Sequence, residues 1–330
     1  YLERTRITEL YIDGKKIGRQ ESLCTPHIYD LNEYIGTGVH EMTICVSNVG
    51  YKTKGGHLTS PDTQTNWNGI TGRIELIGYK NAHAENVMLW CDIHSKTVRV
   101  TADITGGKSR KAVISAESFN SERSHTPEVQ SFEYTNGKLD ALYKMGDDCL
   151  LWSEHEPNLY KLKIDIDGDV SEHIIGMREF RTEGGKFTIN GEKTFLRGKH
   201  DGMIFPKTAF APTDLEEWLR VMKISKSYGM NHYRYHTCCP PEAAFVAADM
   251  LGIYMEPQLP FWGTITEEGE ENHNQEEQDF LVEEGFNMLR FFGNHPSYCM
   301  MSMGNELWGS KKILNDIIGG YKKFDNRHLY

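Results

Sequence analysis

Near residue 186 the hydrophobic rhythm of the chain changes, and that change constrains the fold more than any other feature. Before it, apolar residues alternate with polar ones in short runs separated by Gly, Asn and Asp, the pattern of half-buried strands joined by turns. After it, short apolar runs alternate with amphipathic stretches of three to five turns, a strand–helix–strand–helix sequence that implies a parallel sheet. A chain of 330 residues has room for both parts, each with its own core.

The β part divides in two. Residues 1–79 carry ITELYIDGKKIG, whose Asp13-Gly14 pair between alternating runs signals a hairpin, then the alternating VHEMTICVSN and the expected strand WNGITGRIELIGY. No long helix is expected there, and a jelly-roll β-sandwich fits. Residues 80–182 hold NVMLWCDIHS, TVRVTADI, AVISAES, YKLKIDID and SEHIIGMREFRT as short strands, with turns at TNGKLD and DIDGDV. Their spacing predicts a second sandwich of immunoglobulin size.

Residues 183–330 supply the α/β part. KTFLRGKH, MNHYRYH, IYMEPQ and SYCMMSMGNE read as its strands. TDLEEWLRVMKISKSYG reads as a helix with a Thr213/Glu216 capping box and Gly229 past its end, and PPEAAFVAADMLG starts on proline and stops at Gly252. QEEQDFLVEEGFNMLRFFG and SKKILNDIIGGYKKF are the remaining helices. On rhythm alone a doubly wound sheet and a (β/α)8 barrel are both open. Polar residues gather where the strands end, at Lys199-His200-Asp201, Arg234-Tyr235-His236, Glu256 and Asn305-Glu306, as they do at the catalytic end of a barrel. The first turn, LRGKHDGMIF, lacks the glycine pattern of a dinucleotide fold, so the first half of a TIM barrel is favoured.

Several functions are disfavoured at this stage. With 47 acidic against 36 basic residues the formal charge is −11, which repels phosphate backbones, and nucleic acid is not an expected partner. No apolar run approaches the length of a membrane helix, so no membrane partner is expected. GGKS at 106–109 lacks the earlier glycine of a phosphate loop, since Ala102 stands there, and neither GxSxG nor HExxH occurs. The seven cysteines are scattered, form no CxxC, and are expected as free thiols. The acidic run over 265–285 does not follow calcium-loop spacing and reads as a solvated loop and helix start.

A carboxylic acid at a strand end, in GNELWG, is the kind of group that glycoside hydrolysis uses in pairs. The chain as a whole resembles glycoside hydrolase family 2, the β-galactosidases, β-glucuronidases and β-mannosidases. ELYIDGKKIG, PHIYDLNEYI and NWNGITGRIEL resemble that family's sugar-binding jelly roll, and LLWSEHEPNLYKL and IIGMREFRT the end of its immunoglobulin-like domain. FTINGEKTFLRGKHD, MNHYRYH, AADMLGIYMEP and FFGNHPSYCMMSMGNE follow its barrel motifs in order. The resemblance implies a retaining exo-β-glycosidase, β-galactosidase-like, acting on terminal β-linked sugars of a carbohydrate substrate. Glu306 matches the acid/base, and Asn305 the residue bonded to the sugar 2-hydroxyl. Arg234 matches the strand-two arginine near the catalytic carboxylates, and His200, Asp201 and His236 occupy neighbourhoods that meet sugar hydroxyls. His236 stands one place earlier than in the family pattern R-T-S-H-Y-P. Trp262 is placed to stack on a sugar face, and Glu256 to support the wall of the site.

QLPFWG after Glu256 carries neither the acidic residue nor the histidine that hold magnesium in some relatives, so no metal and no cofactor are expected. The family's nucleophile, a second Glu at the end of strand seven, would lie beyond Tyr330. The expectation is therefore an internal piece of a larger enzyme, inactive and poorly soluble alone, and a possible homo-oligomer in the whole protein. A periplasmic or secreted location is preferred to a cytoplasmic one. The alternatives are a β-glucuronidase or other family 2 glycosidase and, from another class, a non-catalytic carbohydrate-binding protein.

Overall fold

The computed structural model describes residues 1–63, 67–80 and 82–330. In the first segment β1 (Ile7–Ile12) and β2 (Lys15–Glu21) pair antiparallel around the Asp13-Gly14 turn, and β3 (Met42–Ser47) covers the other edge of β1. Asp13 and Gly14 have φ of 49° and 77°, the primed geometry whose twist matches the strands it joins. Ile7, Leu10 and Ile12 are buried. Among the described residues of 1–79 this is the only sheet. The expected strand WNGITGRIELIGY does not form. Residues 71–75 run beside 1–4, with bonds from Glu3 N to Arg73 O and Thr71 N to Arg4 O, yet only Leu2–Ile74 remains a bridge. Arg4, at φ 57°, turns the backbone out of the ladder.

Among the described residues of the second segment the strands pair antiparallel, with one parallel bridge at Leu151–Met177. β4 (His83–Asp92), β5 (Thr97–Thr105) and β8 (Lys138–Lys144) form one sheet. β6 (Lys111–Phe119), β7 (Gln130–Glu133), β9 (Leu159–Ile166) and β10 (Asp169–Ile175) form the other, in the order β10-β9-β6-β7. Alternate residues of both, including Val98, Val100, Leu139 and Tyr143 from one and Ala112, Ile114, Leu162 and Ile164 from the other, share a single core. This is two sheets face to face, as period-two patterning requires. The stretch SEHIIGMREFRT is not one strand. It breaks after Ile175, where a Cβ on Gly176 would lie 2.8 Å from Pro296, and resumes as β11 (Phe180–Glu183) in a small sheet with β12 (Lys186–Ile189) and β13 (Glu192–Lys193).

The third segment alternates as expected. β14 (Gly198–Asp201), β15 (His232–Tyr235) and β16 (Tyr254–Glu256) are parallel neighbours. Between and after them come α1 (Leu215–Ser227), α2 (Glu242–Leu251), α3 (Gln275–Phe292) and α4 (Lys311–Phe324). Parallel bridges extend the series from Met255 to Tyr298, Gln258 to Ser302 and Met300 to Leu329, so neighbours follow chain order without reversal. Three expectations shift. KTFLRGKH is ordered as a strand only from Gly198, and SYCMMSMGNE makes single bridges until β18 (Asn305–Gly309), which pairs with β17 (Trp262–Ile265). The cap of α1 is Asp214, which accepts from Glu217 N, while Thr213 Oγ1 instead donates to Thr71 O. One residue's displacement suffices because Asp caps as well as Thr. The acidic run caps and opens α3, with Asn274 as its cap and Glu276 and Glu277 in its first turn.

The first segment is built into the third. Leu23, Cys24 and Leu58 belong to the same core as Trp218, Tyr233, Tyr235 and Phe245. Glu284 of α3, buried, accepts bonds from Ser22 Oγ, Leu23 N and Cys24 N at 3.0, 2.8 and 2.7 Å.

Candidate active site

Parallel register sets the site. His200 of β14 lies beside Arg234 of β15, which lies beside Glu256 of β16, so the three occupy one row across the sheet. Residues in register on neighbouring strands project to the same side. Arg234 Nη2 donates to Asn305 Oδ1 at 3.0 Å, and its Nε is 3.9 Å from Glu256 Oε1. The guanidinium thus ties the third and fourth units of the series together beside Glu306.

Glu256 is held as an anion. Burial alone would raise its carboxyl, but His232, with Nε2 at 3.2 Å, the Ser302 hydroxyl, which donates at 2.5 Å, and the Arg234 charge keep it below the usual carboxylate range. Asp201 is also engaged: its carboxylate accepts from Met203 N at 2.6 Å and from Lys199 Nζ at 2.8 Å, and the side chain is buried. It braces the loop after β14 and offers little free surface to a ligand.

Glu306 stands in a different setting. Along the β17–β18 ribbon Trp262 faces Asn305 and Thr264 faces Trp308, so three steps on β18 match two on β17. That is a bulge, a device that re-aims a side chain. Glu306 sits in it at φ 50°, with its side chain exposed, while Leu307 turns towards the core. A left-handed glutamate costs of order 1–3 kcal/mol, and such strain gathers at functional positions. Flanking glycines make the geometry possible: at Gly304 (φ 128°) a Cβ would lie 2.4 Å from Phe261 O, and at Gly309 (φ 101°) 2.0 Å from Ile265 O.

Around His236 lies a group of rings. Its centroid is 4.9 Å from His200, 6.0 Å from Trp262 and 4.8 Å from His57. His57 was not singled out in the sequence, because it comes from the first segment and only the fold carries it here. Its loop is pinned by His57 N donating to Thr237 Oγ1 at 2.8 Å and by Gly55, where a Cβ would lie 2.3 Å from Trp262 O. The motif GGH was the available signal, since paired glycines mark a close backbone approach. Burial, and then repulsion from Arg234 and from the protonated forms of His57 and His200, push the His236 imidazole down to about 4, and burial with His200 also lowers His57. At neutral pH the two imidazoles are therefore uncharged, each with one donor and one acceptor nitrogen.

A cleft of about 970 Å³ opens on the α1 side of His200 and Asp201, towards Phe205, Lys207 and Arg220. Arg234, Glu256, Asn305 and Glu306 are not in its lining, so the site is defined by the residue row and the bulge rather than by this cleft. Among the described residues no group of three or more His, Cys, Asp or Glu side chains is placed to hold a metal ion. Among the described residues no helix is long and apolar enough to cross a membrane.

Comparison with known proteins agrees with this architecture. Residues 82–178 match the sequence model of the Glycosyl hydrolases family 2. The chain is 24% identical over 326 residues to a β-galactosidase of Halalkalibacterium halodurans, covering 93% of this chain and 31% of that protein. It is 24% identical over 322 residues to a putative β-glucuronidase of Formosa agariphila, covering 93% and 37%. In fold it is similar to a glycosyl hydrolase family 2 member from Bacteroides cellulosilyticus, with a TM-score of 0.76 at 18% identity, over 99% of this chain and 44% of that one. The chain spans between about a third and about a half of the length of the curated relatives it matches. Matched through its second β segment and alike in fold along nearly its whole length, the chain is similar to members of the glycosyl hydrolases family 2.

Proposed function

We propose that this chain carries the acid/base half of a retaining exo-β-glycosidase, β-galactosidase-like, that removes terminal β-linked sugars from oligo- or polysaccharides. The observation that carries the reading is Glu306 at φ 50° in a bulge, next to an Asn305 held by Arg234. Strained backbone at a carboxylate beside a row of polar strand ends supports a positioned proton donor. In this reading residues 1–79 form a jelly-roll domain, 80–182 an immunoglobulin-like domain and 183–330 the first half of a (β/α)8 barrel. The parallel series in chain order supports the last assignment.

The chemistry follows from two carboxyl groups. Glu306 protonates the glycosidic oxygen as a second Glu attacks the anomeric carbon, and then, as a carboxylate, takes a proton from the water that releases the sugar. We assign that nucleophile to strand seven of the barrel, beyond Tyr330, so the chain alone is inactive. Asn305 meets the 2-hydroxyl, with its amide oriented by Arg234. His200, His236 and Trp262 line the sugar, and Glu256 and Asp201 hold the wall. The uncharged His57 and His236 imidazoles suit an uncharged glycan, and we place the whole protein as a homo-oligomer in the periplasm or outside the cell. The name of the Formosa agariphila relative favours a second reading of the same site, a β-glucuronidase.

The test is a panel of nitrophenyl β-glycosides with the full-length protein and its Glu306→Gln variant. Turnover of one glycoside with release of the β-anomer, and loss of at least about a hundredfold in the variant, is expected, since acid/base groups supply about 10²–10⁴-fold. No turnover on any member of the panel, with sugar still bound, would favour a carbohydrate-binding protein. Turnover of a nitrophenyl glycoside by residues 1–330 alone would refute the assignment of the nucleophile.

A further inference from the structure

The motif GGKS at 106–109 takes no part in the candidate active site. It lies in the connection between β5 and β6, and with the turn between β7 and β8 it borders a cavity of about 260 Å³. The lining is Ile104, Gly106, Gly107, Arg110 and residues 134–137. Every wall therefore comes from the second segment, whose two sheets share one core and whose residues 82–178 match the family model. Ile104 N donates to Gly137 O at 2.7 Å and Tyr134 N to Arg110 O at 3.0 Å, so the two connections are tied to each other. Asp167 braces the loop, its Oδ2 accepting from Lys108 N at 2.7 Å.

The chemistry of the lining selects the ligand. The Tyr134 hydroxyl is buried and bonds to nothing among the described residues. A buried donor without an acceptor is costly, and folded proteins leave few of them. It abuts Gly107, where a Cβ would lie 1.7 Å from Tyr134 Oη, so only a glycine backbone can close over it. Arg110 is exposed, forms no ion pair among the described residues, and holds a left-handed φ of 55°. Such conformations cost energy and gather at ligand sites. The lining carries this one cation and no carboxylate, in a chain of formal charge −11. An uncommitted guanidinium beside a hydroxyl donor suits an oxyanion, whose paired oxygens match the guanidinium fork. The volume is below the roughly 300–1,000 Å³ that drug-sized ligands occupy, so the ligand is one small group.

We propose that this cavity binds a single small oxyanion, free or as the acid group of an acidic sugar, with Arg110 as its ion partner and the Tyr134 hydroxyl as its donor. Gly106 and Gly107 shift to uncover the hydroxyl, a freedom that two adjacent glycines supply. The cavity shares no residue with the candidate active site, and the proposal does not rest on the role of Glu306.

The experiment is isothermal titration calorimetry of the full-length protein with sodium sulfate, sodium glucuronate and, as the neutral control, glucose, all at one ionic strength. The same titrations are run on Arg110→Gln and Tyr134→Phe. The difference between wild type and variant isolates this cavity, because heat from any other site persists in the variants. The expected result is anion binding that weakens about tenfold or more in Arg110→Gln, the effect of losing a charge-assisted hydrogen bond. If sulfate and glucuronate both bind in this way, the oxyanion suffices. Sulfate alone identifies a free anion, and glucuronate alone an acidic sugar. Tyr134→Phe should also weaken binding, while its thermal midpoint without ligand equals or exceeds that of the wild type, because the change removes an unpaired buried hydroxyl. A lower midpoint, or failure to fold, would show that the hydroxyl serves the fold and overturns its assignment. Anion heats that are the same in wild type and Arg110→Gln overturn the whole proposal, and so does Arg110-dependent binding of glucose as tight as that of glucuronate.

Discussion

Gly304→Ala separates a backbone requirement from a side-chain one at the candidate site. Gly304 has φ 128°, a conformation L side chains rarely adopt, and an added Cβ would lie 2.4 Å from Phe261 O and 3.3 Å from Leu307 Cδ2. The backbone conformation costs about 1–3 kcal/mol. Forcing a methyl against a carbonyl in a packed site costs about 1–3 kcal/mol more, for a total of about 2–6 kcal/mol. At roughly 2 °C or more per kcal/mol, the thermal midpoint should fall by at least about 4 °C. The strain has one cheap outlet, a shift of the β17–β18 ribbon, which carries Glu306 with it. A displacement of about 1 Å at a catalytic group costs on the order of a hundredfold in rate, so kcat on an aryl glycoside should drop by that much. Gly319→Ala is the control: it lies in α4 with open space at its Cβ, and should leave activity unchanged and stabilise by about 0.5–1 kcal/mol. The assay is intrinsic fluorescence on heating, with initial rates on the full-length protein. A Gly304→Ala variant with the midpoint and kcat of the wild type would refute the reasoning that the glycine is required by the bulge.

Three further outcomes are expected. His27 is buried against Thr8 Oγ1 at 2.6 Å, and burial pushes its imidazole down to about 4, so the unfolded chain binds its proton first. Its contribution is fully present above about pH 6.5 and is lost as pH falls to about 4, a loss of about 3 kcal/mol. Urea midpoints across that range should show the slope, and His27→Gln should flatten it, whereas an identical slope in the variant counts against the assignment. Glu284→Leu leaves Ser22 Oγ, Leu23 N and Cys24 N without their acceptor at a cost of about 3 kcal/mol or more, and should expose the chain near Leu23 to proteolysis while α3 stays folded. A digestion pattern identical to wild type would show that the buried carboxylate does not hold the segment down. Cys45, exposed, should react with a thiol reagent in the native protein, and the buried Cys24, Cys238, Cys239 and Cys299 only after denaturation. Fast reaction of all five would contradict the burial.

Local signals carried much of the fold. The Asp13-Gly14 hairpin, the alternation in the second segment, and the four helices with Gly229 and Gly252 at their ends were legible because each depends on residues within a few positions. Strand lengths were not. WNGITGRIELIGY has a strand's alternation, but its neighbour leaves the ladder at Arg4, and no alternation within 67–79 reports that. SYCMMSMGNE is apolar enough for a strand, yet before Asn305 its partners are the single residues Met255, Gln258 and Leu329.

The candidate site divides along the same line. The sequence by itself determined the residue types and their order: a carboxylate after asparagine at the fourth strand end, an arginine at the second, and histidines at the first and second. It also determined the glycines at 304 and 309, without which the bulge could not form. Only the tertiary structure decided which of these meet. It aligned His200, Arg234 and Glu256 in one row, turned Asp201 inwards to Lys199 and Met203, and put Glu306 into a left-handed conformation. It also brought His57 to His236 across 179 positions of sequence. The physical reason is that register, burial and long-range packing are properties of pairs of segments, and a single segment's pattern holds one half of each pair.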